Sequence, residues 1–290
     1  MIEVARHFSP DPDGADYAEF MTEVAKEDLG YLGESPEYFN DALNSADLRV
    51  QAQCIIDPVG GSFETWDAVV AAMQVHSAVF ASATASGESV ECRIGEKMHR
   101  IPAVGPFSVS NAARWVSAFW YAVICREQER MTRLCEVPIE LLRESERLGG
   151  FEIDEYAYHW VDALQRYWLR RPGFVEALTE TVELSHPDVA TIADPEALNK
   201  LLYQPINLFY RFVKHDVDGF NDALVDALEA HKSYWTADED RADKASGTVP
   251  IGVLAVACLA YDGEIPIRVR SDYLPIKLLD RAWVGEFPTV

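Results

Sequence analysis

The sequence predicts a mainly α protein, a multi-helical single domain with a small β element. Apolar residues recur at helical spacing through most of the chain. Two eleven-residue apolar runs, WVSAFWYAVIC (115–125) and IGVLAVACLAY (251–261), are long enough for enclosed helices and well short of the roughly 20 residues that span a bilayer. Only 88–101 and 265–270 alternate with a period of two. With 290 residues, 49% of them hydrophobic, the chain can bury a sizeable core.

Taken in order, a loop SPDPDGAD leads to Asp16, a candidate cap for a helix ending about Leu29, and Pro36 suits the first turn of a second helix. Ser62 is a plausible N-cap for a long helix whose apolar stripe is Phe63, Trp66, Val70, Met73 and Phe80. Val90, Cys92 and Ile94 alternate before a GEK turn, giving a hairpin over 88–101. A helix over 108–135 is apolar on nearly every face in its first half, as a central helix must be. Further helices are expected at 138–147, 154–170, 174–184, 195–213 (kinked at Pro205) and 216–232. Residues 236–250 read as an exposed polar loop, 251–261 as a buried helix, and 265–270 as a strand that pairs with the hairpin, because an isolated strand is not viable.

Asp plus Glu number 48 against 25 Lys plus Arg. The excess sits in three blocks, 1–48, 174–199 and 216–243, with net charges of −10, −6 and −7 that account for the whole −23. Such a surface repels nucleic acid and anionic membrane. It is either a solvated face or a docking surface for a basic partner. Trp235, beside the acidic run of Asp238, Glu239, Asp240 and Asp243, is the candidate contact on that reading. Five cysteines with no CxxC spacing form no disulfide framework and fit a reducing cytoplasm, and the N-terminus has no signal-peptide pattern.

Catalytic signatures are missing. GxSxG, GxxxxGK[ST] and HExxH do not occur, so the common hydrolase, NTPase and zinc-protease geometries lack their residues. The glycines of PVGGSFE (58–64) precede a helix start but have no lysine for a phosphate. Glu155, His159 and Asp162 share a helical face and are the one candidate metal set, the basis of an alternative reading as a helical metal-dependent hydrolase using Glu155 and His159. HDVDGFND (215–222) has its glycine at the wrong position for an EF-hand and reads as a helix start. His76 reads as a core histidine. A helical peptide-binding scaffold, which needs an apolar groove, is a third reading.

The stretches IGVLAVACLAYDGEIPIRVRSDYLPIKLL, NAARWVSAFWYAVICRE and YHWVDALQRYW resemble the immunity 49 family of bacterial polymorphic-toxin systems, over roughly residues 50 to 285. The resemblance implies a mostly helical cytoplasmic protein, not an enzyme and without cofactors, that neutralises a cognate toxin by stoichiometric binding. Residues 49–290 would be the immunity-type domain and 1–48 acidic helices packed on it. An acidic inhibitor suits a basic toxin such as a nuclease.

Overall fold

The computed structural model describes residues 1–7 and 13–289. Helix α1 (Gly14–Tyr31) packs along α2 (Phe39–Ile56), and α2 along α3 (Phe63–Thr84). Asp16 lies in the first turn of α1, where a carboxylate favours the helix dipole, and does not cap it; the expected loop before it lies largely outside the described residues. Pro36 opens a 3₁₀ turn capped by Ser35, which leads into α2. Ser62 caps α3 as expected, accepting from the Thr65 amide. Helix α2 passes residues 48 and 49 without a break, and Arg49, with only 8% of its side chain exposed, reaches Asp67 at 2.6 Å and ties α2 to α3.

The hairpin is β2 (Ser89–Ile94) and β3 (Lys97–Pro102), antiparallel about Gly95, whose φ of 60° suits a two-residue turn. It lies on α3: the Gln74 carboxamide accepts from the Gly95 amide, and the Ser82 hydroxyl donates to Pro102. Its expected third strand is elsewhere. Only Val269–Arg270 forms a strand, β4, and it pairs in parallel with β1 (Ile2–Glu3) rather than with the hairpin. Before it, the buried Asn221 side chain donates to the Pro266 carbonyl and accepts from the Arg268 amide, while the Arg268 carbonyl accepts from Ile2 of β1.

The expected helix over 108–135 is broken. It becomes α4 (Ala112–Cys125) and α5 (Gln128–Cys135), separated at Arg126, which adopts a left-handed φ of 57°. Its guanidinium, on a side chain only 7% exposed, donates to the carbonyls of Ile124, Leu278 and Leu279 and pairs with Asp262 at 3.0 Å. The Trp115 indole donates to Leu134 across the resulting corner.

The chain continues through α6 (Ile139–Gly149), α7 (Tyr156–Trp168) and α8 (Phe174–Leu184). A turn at Pro195–Ala197, α9, runs into a π-helical segment (Leu198–Leu202) and then α10 (Tyr203–Val213). The wide turn falls just before Pro205, where the missing amide was expected to disturb the helix. Next come α11 (Val217–Trp235), the short α12 (Glu239–Ala242), α13 (Ile251–Asp262) and α14 (Ile276–Leu279).

Helix α4 is the central element, packed against α3, α5, α7 and α13. The stretch Ala245–Asp262 is long and apolar enough to cross a membrane, but 61% of it is buried inside the protein. Trp120 packs tilted against Trp160, which meets Phe209 edge to face, and the three join α4, α7 and α10, with Tyr167 and Phe174 also edge to face with Phe209. Four of the five cysteines are buried as small core side chains; burial pushes the thiols of Cys54 and Cys258 up to about 12 and about 11, so they stay protonated.

Replacing Arg126 with Ala should lower stability by about 3 kcal/mol, because Asp262 and the capped carbonyls lose their donor in a buried site. Replacement with Gly should cost about 1 kcal/mol less, since glycine tolerates the left-handed backbone. Urea unfolding of the two variants measures both; equal stabilities would show that the backbone at 126 is not strained.

Candidate partner-binding site

The acidic run is held more firmly than its composition suggests. Asp238 caps α12, accepting from the Arg241 amide, and pairs with the Arg241 side chain at 3.2 Å. Arg241 also reaches Glu196 at 2.8 Å and lies over the Tyr234 ring at 4.4 Å, while Lys200 pairs with Glu196 at 2.9 Å. Glu239, Asp240 and Asp243 remain exposed. Trp235 is partly buried: its indole lies against Gly247, where a Cβ would come within 2.8 Å of the ring. Of the five residues singled out, Glu239, Asp240 and Asp243 therefore present free carboxylates, Asp238 is engaged locally and Trp235 is a packing residue.

Only the first half of the segment 236–250 lies at the surface, and part of it is α12 rather than loop. Ala245 and residues 247–250 are buried. The Gln51 carboxamide clamps Val249 at both backbone groups (2.7 and 3.1 Å), and the His231 Nε2–H donates to the Gly247 carbonyl at 2.9 Å. Burial lowers the His231 pKa from 6.5 to about 4, so this ring is neutral at neutral pH.

Next to this segment the structure assembles a cleft of about 830 Å³ that sequence reasoning did not find. Its walls come from α2, α4, α7, the 191–193 turn, the π-helical segment and the start of α13. Trp120, Tyr156 and Trp160 lie behind its wall, each more than nine-tenths buried, beside the more open Val116, Ile192 and Leu202. Asp47 supplies a carboxylate: its Oδ1 accepts from Tyr121 at 2.8 Å and from His76 at 2.9 Å, and Arg114 stands 3.7 Å from Oδ2. Burial works to raise the Asp47 carboxyl, but His76, Tyr121 and Arg114 outweigh it and hold its pKa below the ordinary carboxylate value. A third of the Asp47 side chain stays accessible. Asp154 shapes the opposite wall by accepting from the amides of Thr191, Ile192 and Ala193.

A second concavity, of about 750 Å³, includes Asp13, Tyr17 and Asp243, and shares Leu48 and Ser246 with the cleft. Asp47 and Asp13 of the first acidic block and Asp243 of the third line one hollow or the other, whereas the second block contributes only the uncharged Ile192 and Ala193. No sequence signal marks Asp47, His76 and Tyr121 as neighbours, because they meet only through the packing of α2, α3 and α4.

Compared with known protein families, the sequence matches Immunity protein 49 over residues 57–278, well over half of its length. The chain belongs to the immunity protein 49 family. Comparison with curated proteins and with solved structures found no match to either. Both concavities draw on residues inside the matched immunity protein 49 region and on α1 or α2 before it.

The candidate metal set does not assemble. Glu155 forms a two-point pair with Arg143, His159 Nδ1 stands 2.8 Å from the Glu180 carboxylate and Asp162 binds Arg166 at 2.6 Å. Among the described residues, no group of three or more His, Cys, Asp or Glu is placed to hold a metal ion. The anion cradle at PVGG is filled from within, since the Asp57 carboxylate accepts from the amides of Gly61 and Ser62 and from the Thr65 hydroxyl.

His231 gives this region a pH signature. Between pH 6.5 and about 4 the unfolded chain takes a proton at this histidine and the folded one does not, so stability falls as the pH falls through that window. The loss from His231 alone should approach about 3 kcal/mol. Stability measured by urea unfolding from pH 7 to 4 should decline more steeply for the wild type than for His231→Gln; identical slopes would remove His231 as the cause.

Proposed function

We propose that this protein neutralises a cognate toxin by stoichiometric binding, with the toxin docking over the acidic face around Asp13 at the start of α1 and the 239–243 segment. Membership of the immunity protein 49 family carries the reading. The acid-rimmed hollows support it, since exposed carboxylates at Glu239, Asp240 and Asp243 attract and orient a cationic protein such as a nuclease. Glu155 and His159, spent on Arg143 and Glu180, give the hydrolase alternative little support.

A peptide-binding scaffold is the second reading, favoured by the apolar lining of the 830 Å³ cleft. The two differ in salt dependence: docking steered by charge slows as ionic strength rises, whereas peptide binding in an apolar groove changes little.

The direct test is co-expression with the toxin encoded beside it. Rescue of growth and recovery of a 1:1 complex are expected; growth arrest despite full expression of the protein would refute the proposal. The structure also dictates which charges to reverse. Changing Glu239, Asp240 and Asp243 to Lys spares the capping Asp238, and should slow association about 10-fold at low salt with little change in Tm. An unchanged on-rate, measured by stopped flow, would place the interface elsewhere.

A further inference from the structure

We infer that the protein forms a two-fold dimer through the apolar hollow between β4, α13 and α14, with a second copy of this chain as the occupant. Such a dimer goes beyond the toxin-binding role, since the hollow shares no lining residue with the acidic concavity beside the 239–243 segment.

The hollow holds about 550 Å³ and is walled by the 264–272 stretch, the end of α13, the start of α14 and the 58–59 turn. Its rim is apolar and open. Val59, Tyr261 and Ile276 are each more than two-fifths exposed, Met1 projects beside them, and Ile2 stands exposed on the paired strand β1. These five side chains present on the order of several hundred Å² of apolar surface, close to what the apolar part of a standard interface of about 800 Å² per partner requires. The face is also held in place before any partner arrives. The Lys277 amide donates to the Val59 carbonyl at 2.9 Å, and Gly60, at a φ of 67°, closes the turn onto Pro275 and Leu278.

Charge selects the occupant. Over most of its surface a protein of net charge −23 repels its own copies. This face is the exception, because residues 251–290 carry four basic and five acidic side chains, and residues 1–7 one of each. Its charges also complement themselves. Arg268, Lys277 and Arg281 each have an acid of their own chain nearby, in Asp218, Asp280 and Asp262. Arg270 and Glu264, both exposed at the hollow, form no ion pair among the described residues. A two-fold axis through the hollow can bring Arg270 of each copy to Glu264 of the other, which places two charge pairs at the rim of an apolar centre. A basic toxin is drawn more strongly to the acidic face, and an uncharged peptide uses neither charge.

The test is sedimentation equilibrium of the full, untagged chain and three variants. Wild type should dimerise with a Kd of about 10 µM or tighter. Ile276→Arg, at an exposed position of α14, should raise that Kd at least 10-fold at unchanged Tm. Arg270→Glu should raise it about 10-fold, and Arg270→Glu combined with Glu264→Arg should return it to within about 2-fold of wild type, a rescue that a merely structural effect of either change would not produce.

A monomer at about ten times that concentration, a dimer unmoved by the variants, or a double variant no tighter than Arg270→Glu overturns the dimer. Loss of toxin affinity in Ile276→Arg would assign the face to the toxin and overturn it equally. Growth rescue and toxin binding by a monomeric wild type would uphold the binding role without the dimer.

Discussion

The fold turns on Arg126. A long apolar helix running on past this point would carry α5 away from the body; the left-handed residue reverses the chain so that α5 folds back and Trp115 can reach Leu134. The same side chain then satisfies the terminal carbonyls of α14 and the Asp262 carboxylate at the end of α13. One buried cation therefore closes three helix ends against each other. The C-terminal helices depend on it for their position, and α13 in turn forms part of the cleft.

The acidic character of the chain looks different once folded. Part of the charge is consumed internally: Asp57 fills its own loop, Asp154 holds the 191–193 turn, and Glu196 cross-links Lys200 and Arg241. Part of what remains outward, Asp13 and Asp243 among it, lines the hollow where α1, α2 and the 239–246 segment meet. The positioning of that face relies on neutral, buried polar contacts, the Gln51 clamp and His231, which keep their geometry regardless of salt.

Most helices were legible because each announces itself locally. Ser62 caps, Pro36 starts a turn, the Tyr156, Trp160 and Leu164 stripe turns inward, and Pro205 marks a disturbance that appears as a π turn. The hairpin was legible for the same reason, its period and its Gly95 turn being contiguous. What was missed depends on partners distant in sequence. A left-handed arginine has no local signature, since its conformation is held by carbonyls more than 150 residues away. The strand at 269–270 was misassigned to the hairpin because its true partner, Ile2–Glu3, is too short to show any alternation. Residues 247–250 looked like loop because Gly and Pro dominate, yet Gln51 and His231 supply the hydrogen bonds that let them be buried. The cleft and its Asp47 network exist only as a product of packing.

The parallel pairing of β1 with β4, together with the contact of His7 with Tyr273, joins positions 266 residues apart. During synthesis the first strand is made long before its partner. At roughly 5–20 residues per second the leading segment waits, on the order of tens of seconds, before it can dock. Until then Val4 has nowhere to be buried, and the nascent chain exposes a short unpaired edge that favours slow, late closure over stepwise growth from the ribosome.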